Sequence, residues 1–140
     1  MNKLSVLLVE DDDVQAEAVE RSIGKSTLET QLVWAEDGLE ALEILRKQHP
    51  TKRIERPYII LLDLNMPRMN GFEFLERIRN DLLLKDSVVF VLTTSDADTD
   101  RTRAYHENIA GYMVKQQVGP MFAKLVNLLR AYGESVTLPG

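Results

Sequence analysis

The stretch from Tyr58 to Pro67, Tyr-Ile-Ile-Leu-Leu-Asp-Leu-Asn-Met-Pro, limits what this chain can fold into more than any other. Ile59 to Leu62 are apolar without alternation and include β-branched members. That pattern reads as a strand covered on both faces, as in a parallel sheet. Asp63 falls where the strand ends. In open α/β sheets, ligands bind outside the carboxyl ends of the strands. A carboxylate there either accepts backbone N–H bonds or does chemistry. Taken alone the stretch leaves both readings open, and what reaches the same edge from elsewhere must decide.

The remaining runs supply that context. Residues 4–9, Leu-Ser-Val-Leu-Leu-Val, read as another buried strand and lead into Glu10-Asp11-Asp12-Asp13. A helix over residues 12–23 follows, with Val14, Ala18 and Val19 inward; Asp12 and Asp13 suit the positive end of its dipole, and Gly24 ends it. Residues 30–35 form a second strand in which Trp34 is read as packing. Asp37-Gly38 turns into a helix over 39–48 with Leu39, Leu42 and Leu45 on one face. Residues 50–57 form a polar loop whose Lys52, Arg53 and Arg56 are read as solvated. After the 58–62 strand, Asn70-Gly71 signals a turn into a helix over 72–83, with Leu75, Ile78 and Leu82 inward. A strand over 88–92 leads into Thr93-Thr94-Ser95, then come a charged helix over 96–107 and a short strand over 110–114 ending at Lys115. Gly119-Pro120 opens a last helix to about residue 132, and residues 133–140 form a tail.

Five strands alternating with five helices predict a doubly wound α/β domain: a five-stranded parallel sheet with helices on both faces. The 140 residues suffice for one domain of this kind, residues 1–132, plus the tail. With 17 basic against 22 acidic residues, net charge −5, nucleic-acid binding is not expected, since phosphate contacts need a basic face. The absence of cysteine excludes disulfides and thiolate metal sites. With no long apolar segment, the expectation is a cytoplasmic protein without a membrane span.

Four of the five predicted strands thus deliver polar side chains to one edge: Glu10 and Asp11, Asp63, Thr93, and Lys115. Crowded carboxylates repel and recruit a hard cation, and oxygen-only ligands suit Mg²⁺. A lysine and a hydroxyl beside such a site make a pocket for an anion with several oxygens, such as a phosphoryl group. A carboxylate is also a competent nucleophile that can form an aspartyl-phosphate.

The motifs Val-Glu-Asp-Asp (9–12), Leu-Asp-Leu-Asn-Met-Pro (62–67) with Gly71, Val-Leu-Thr-Thr (91–94) and Gly-Tyr-Met-Val-Lys (111–115) resemble those of the receiver domains of two-component response regulators. The resemblance spans residues 4–132 and implies the flavodoxin-like strand order 2-1-3-4-5. It implies that Asp63 accepts a phosphoryl group from a histidine kinase. Glu10, Asp11, Asp63 and the Asn65 carbonyl would hold Mg²⁺, Thr93 and Lys115 would contact the phosphoryl oxygens, and Tyr112 would switch rotamer with Thr93. The loop before Arg56-Pro57, the run 92–95 and the tail Val136-Thr137-Leu138-Pro139 are similar to the small stand-alone regulators paired with bacterial and cyanobacterial phytochromes. That likeness implies a phytochrome-type kinase and a homodimer through the fourth helix, fifth strand, fifth helix and tail. Met121, Phe122, Leu125, Val126, Leu128, Leu129 and Tyr132, with Leu138, make an apolar stripe read as wider than one core face, hence an interface.

Two departures stand out. Gln116 replaces the family's usual proline after the lysine, so the Lys115–Gln116 peptide is expected to be trans. Thr94 stands where a smaller residue is common and narrows access to Asp63. Other features carry less. Gly24-Lys25-Ser26 lacks the earlier glycine of a phosphate loop, because position 19 is Val19. His49 and His106 read as isolated surface residues. Two rivals remain: a phosphorylation-blind docking module, and a phosphatase of the haloacid-dehalogenase type. The second needs an acid two residues after the nucleophile, and Asn65 stands there.

Overall fold

A computed structural model describes residues 4–26 and 29–140. The elements in order are β1 (Leu4–Val9), α1 (Asp13–Gly24), β2 (Thr30–Ala35), α2 (Gly38–Leu45), β3 (Tyr58–Leu62), α3 (Gly71–Arg79), β4 (Val88–Thr93), α4 (Asp98–His106), β5 (Gly111–Val114) and α5 (Ala123–Ser135). Two short 3-10 turns, Lys115–Gln117 and Pro120–Phe122, lie between β5 and α5. The sheet has the order β2-β1-β3-β4-β5, and every pairing is parallel. No helix among the described residues is long and apolar enough to cross a membrane.

Strand alternation explains the unbroken apolar runs. Ile60 and Leu62 face one core with Leu7, Val9, Val89 and Val91, under Leu42 of α2, Phe74, Leu75 and Ile78 of α3, and Ala104 of α4. Ile59 and Leu61 face the other with Val6, Leu8, Phe90 and Leu92, under Ala16, Val19 and Ile23 of α1 and Leu125 and Leu129 of α5. Each central strand is therefore apolar on both faces because helices cover both.

Helix starts follow from capping. The Asp12 carboxylate accepts from the backbone N–H of Val14 and Gln15, so Asp12 caps α1 rather than lying in its first turn. Asn70 and Glu73 form a reciprocal capping box on α3. Three expected inward residues are corrected. Val14 is 70% exposed, because the buried stripe of α1 runs through Ala16, Val19 and Ile23. Leu39 is 38% exposed, since α2 turns Ala41, Leu42, Ile44 and Leu45 inward. Leu82 is 82% exposed, because α3 ends at Arg79 and Leu84 fills the core position instead. The start of the last helix is also corrected. Met121 and Phe122 both take left-handed backbone angles, φ 55° and 54°, so α5 begins only at Ala123. The Lys115–Gln116 peptide is trans; Arg56–Pro57 is the cis peptide among the described residues.

Candidate functional site

Parallel pairing brings every strand's carboxyl end to one edge. Ala35 O accepts from Glu10 N at 3.0 Å, and Val9 O accepts from Asp63 N at 3.0 Å. These bonds continue the ladder one residue past the strands and align Glu10 with Asp63. Thr93 is the last residue of β4, and Lys115 follows β5 directly.

The side chains converge. Lys115 Nζ donates to Glu10 Oε1 at 2.5 Å and to Asp63 Oδ2 at 3.4 Å. Carboxylate oxygens of Glu10, Asp11 and Asp63 all lie within 4.8 Å of one another. Glu10 and Asp63 are buried, while Asp11 is exposed at the mouth. Burial pushes the Glu10 carboxyl up to about 7, and the Asp63 charge adds to the rise; the hydrogen bond and charge of Lys115 pull it down. Three acids against one lysine leave a negative excess at a site open on the Asp11 side. Hard oxygen donors with one exposed position fit a divalent cation of the Mg²⁺ class.

The rest of the predicted set sits around this centre. Asn65 follows β3, its N–H reaching Asp63 Oδ1 at 3.4 Å. Thr93 is fully buried, and its Oγ1 accepts from Ser95 N at 3.4 Å. Thr94 is exposed beside it. The Tyr112 hydroxyl donates to Ser95 O at 2.9 Å, and Arg101 lies over its ring at 5.6 Å. Burial pushes that phenol up. Tyr112 thus spans from β5 to the turn after Thr93.

The stripe on α5 divides. Leu125 and Leu129 are fully buried in the domain's own core, as is most of Val126, so they are corrected from surface contacts to core residues. The sheet face beneath α5 is wide enough to absorb them. Met121 is 63% exposed, and Phe122, Leu128, Tyr132 and Leu138 are part-buried against the same core.

Sequence reasoning missed the surroundings of β2. His49 is not isolated: Nε2 meets Glu40 Oε2 at 3.2 Å, and Nδ1 accepts from Thr51 and Lys52 N–H. Lys52 is not merely solvated, since Nζ donates to Trp34 O at 2.6 Å and to Glu40 Oε1 at 3.3 Å. Trp34 does more than pack, because its indole N–H donates to Glu10 O at 2.7 Å. These contacts join residues far apart in sequence, and no local pattern signals them. A cavity of about 820 Å³ lies elsewhere, lined by residues such as Arg53, Ile54, Tyr58 and Leu84 and by none of the acidic cluster.

The response regulator receiver domain profile matches residues 6–127. The chain belongs to that family. Response regulator Rcp1 of Synechocystis sp. is 35% identical over 135 residues, covering 96% of this chain and 92% of Rcp1. The crystal structure of the phosphorylated cyanobacterial phytochrome response regulator RcpA superposes with TM-score 0.84 at 32% identity, covering 97% of this chain and 98% of that one. The Mn²⁺-bound form of Rcp1 superposes with TM-score 0.83 at 34% identity, covering 97% and 99%. This receiver domain is therefore a response regulator of two-component signalling, related to the phytochrome response regulators. The acidic cluster lies in a family in which a relative's structure holds Mn²⁺.

Proposed function

We propose that Asp63 is the phosphoacceptor of this receiver and that its reaction depends on Mg²⁺. The observation that carries the reading is Lys115 Nζ shared between Glu10 and Asp63, with the Asp11 carboxylate beside them. In the transfer an Asp63 oxygen attacks phosphorus and forms a new P–O bond. The P–N bond of a phosphohistidine breaks, its electron pair stays on the ring nitrogen, and that nitrogen takes up a proton. No general base is required, because the nucleophile is a carboxylate oxygen and not a hydroxyl or thiol whose proton must be taken. Lys115, held between two acids, is positioned to neutralise charge on the transferring phosphoryl oxygens, and the Thr93 hydroxyl to hydrogen-bond one of them. Glu10, Asp11, Asp63 and the Asn65 carbonyl would hold Mg²⁺, which supplies further charge neutralisation there.

The relatives support a histidine kinase of the phytochrome type as donor. The protein acts as a phosphoacceptor that hydrolyses its own acyl phosphate rather than turning over an external substrate. Phosphorylation draws Thr93 toward the phosphoryl group, Tyr112 follows across Ser95, and the α4–β5–α5 face changes. That face, with the tail, forms a homodimer contact through Met121, Phe122, Leu128, Tyr132 and Leu138.

Intact mass after incubation with a small acyl phosphate tests the core of the reading. A phosphoryl-sized gain that requires both Mg²⁺ and Asp63, with Asp63→Asn as control, is expected. No gain, under conditions that label another receiver, would sink the reading in favour of a docking module.

A further inference from the structure

We propose that Trp34 is a positioning residue for the cation site: its indole N–H sets the peptide plane that joins Glu10 to Asp11. The inference rests on the reading of Glu10 and Asp11 as cation ligands. It starts from the end of β1. Glu10 lies past the last paired residue of that strand, Val9, opposite Ala35. Its N–H is satisfied by Ala35 O, but its carbonyl has run beyond the ladder. Such a group needs a partner when it is screened from water. Trp34, reaching over from edge strand β2, supplies one at 2.7 Å.

That carbonyl belongs to a planar unit that extends to the Asp11 Cα. Holding it fixes the place of the Asp11 Cα and the N–Cα axis about which its side chain can turn, leaving φ as the one backbone freedom. Glu10 has its side chain pinned by Lys115 and by Asp12 N, whose N–H reaches Oε2 at 3.3 Å. Asp11 is exposed, and among the described residues its side chain has no hydrogen-bond partner. Its orientation is therefore set through the backbone, and Trp34 is the side chain that grips that backbone.

The indole is itself held. Lys52 Nζ donates to Trp34 O at 2.6 Å and lies 5.7 Å from its ring centroid. Lys52 is in turn tied to Glu40, which also takes the Glu36 N–H at 2.8 Å and meets His49. A strut thus runs from α2 and the loop before β3, through Lys52 and Trp34, to the acid pair. A tryptophan that merely packs would find some partner for its N–H. The specific consequence here is that cation affinity, and not only stability, depends on that donor.

Isothermal calorimetry of Mg²⁺ binding to the full chain tests this, with Trp34→Phe and Lys52→Met beside the native protein and thermal melts on all three. Trp34→Phe keeps an aromatic ring but loses the donor. Its Mg²⁺ dissociation constant is expected to rise roughly tenfold, as for loss of a residue that orients a ligand. Acyl-phosphate labelling should slow at low Mg²⁺ and recover at saturating Mg²⁺. Lys52→Met, which cuts the strut but leaves the indole, should weaken binding in the same direction by less. The sole tryptophan of the native chain should change emission along the same Mg²⁺ curve. If Trp34→Phe or a folded Lys52→Met binds Mg²⁺ as tightly as the native protein, Trp34 does not position the site. If the native protein binds no Mg²⁺, the cation reading of Glu10 and Asp11 fails instead.

Discussion

Gly71 marks how closely β3, which leads into Asp63, and the following helix α3 approach. A Cβ there would lie 2.6 Å from Asp63 O and 2.7 Å from Leu64 Cα, both backbone atoms that cannot swing aside. Gly71 N also donates to Leu64 O at 2.9 Å. Gly71→Ala should cost about 1–3 kcal/mol, as overpacking does. Because the displaced atoms carry Asp63, it should also slow acyl-phosphate labelling more than an equally destabilising change in α1. Melting temperature and labelling rate, measured together, check this. Thr94 calls for the opposite kind of change. It is exposed next to buried Thr93, just past the carboxyl end of β4. Thr94→Ala should speed both labelling and loss of the phosphoryl group severalfold with little change in stability; unchanged rates would remove Thr94 from the account. At this scale the sequence showed which polar residues reach one edge, because a polar residue ending a strand run is a local signal. It did not show that Trp34 reaches Glu10, since side-chain direction across two strands is not written in either.

At the scale of elements, strand bounds were readable because unbroken apolar runs end abruptly in charge. Helix ends were less so. Leu82 and Val14 fit a helical period, yet Leu82 lies past the Asn80 cap that ends α3, and Val14 lies off the Ala16, Val19 and Ile23 stripe of α1. Caps therefore have measurable weight. Asn70→Ala breaks the α3 capping box and should cost about 1 kcal/mol, read as a lower urea midpoint with unchanged slope. The loop between α2 and β3 is held differently, through Glu40. Burial pushes the Glu40 carboxyl up, but the Glu36 N–H, His49 and Lys52 together outweigh it and hold it below the usual carboxylate range. A carboxyl whose folded pKa is depressed binds fewer protons folded than unfolded between the two values. Its contribution to stability is therefore present above the unfolded pKa of about 4.3 and lost as pH falls through the folded one. Melting temperature against pH should fall on the acid side less steeply in Glu40→Gln than in the native chain. Equal slopes would show that Glu40 contributes nothing there.

At the scale of the whole molecule, the sheet is covered on both faces but less finished at its β5 edge. The α2–α3 face closes over a large core, whereas the α4–β5–α5 side ends in a four-residue edge strand, Gly111–Val114. An exposed strand edge with apolar neighbours is usually covered or paired. Tyr105 of the flanking α4 is 47% exposed; beyond β5 in the chain, Met121 is 63% exposed and Phe122, Leu128, Tyr132 and Leu138 are part-buried. Helix α4 itself buries only Ala104, so its outer surface is free to meet a second chain. A stable dimer buries on the order of 800 Å² per partner, within reach of two helices, an edge strand and a tail. Met121 is the sharpest probe, because it is the most exposed apolar residue of the set and lies outside the core cluster. Met121→Asp should leave melting of the dilute protein unchanged yet shift sedimentation from dimer toward monomer. The same shift should appear on deleting residues 136–140, if Leu138 contributes to the contact. A native chain that sediments as monomer across the micromolar range would overturn the dimer. The α4–β5–α5 face would then be free for a different partner.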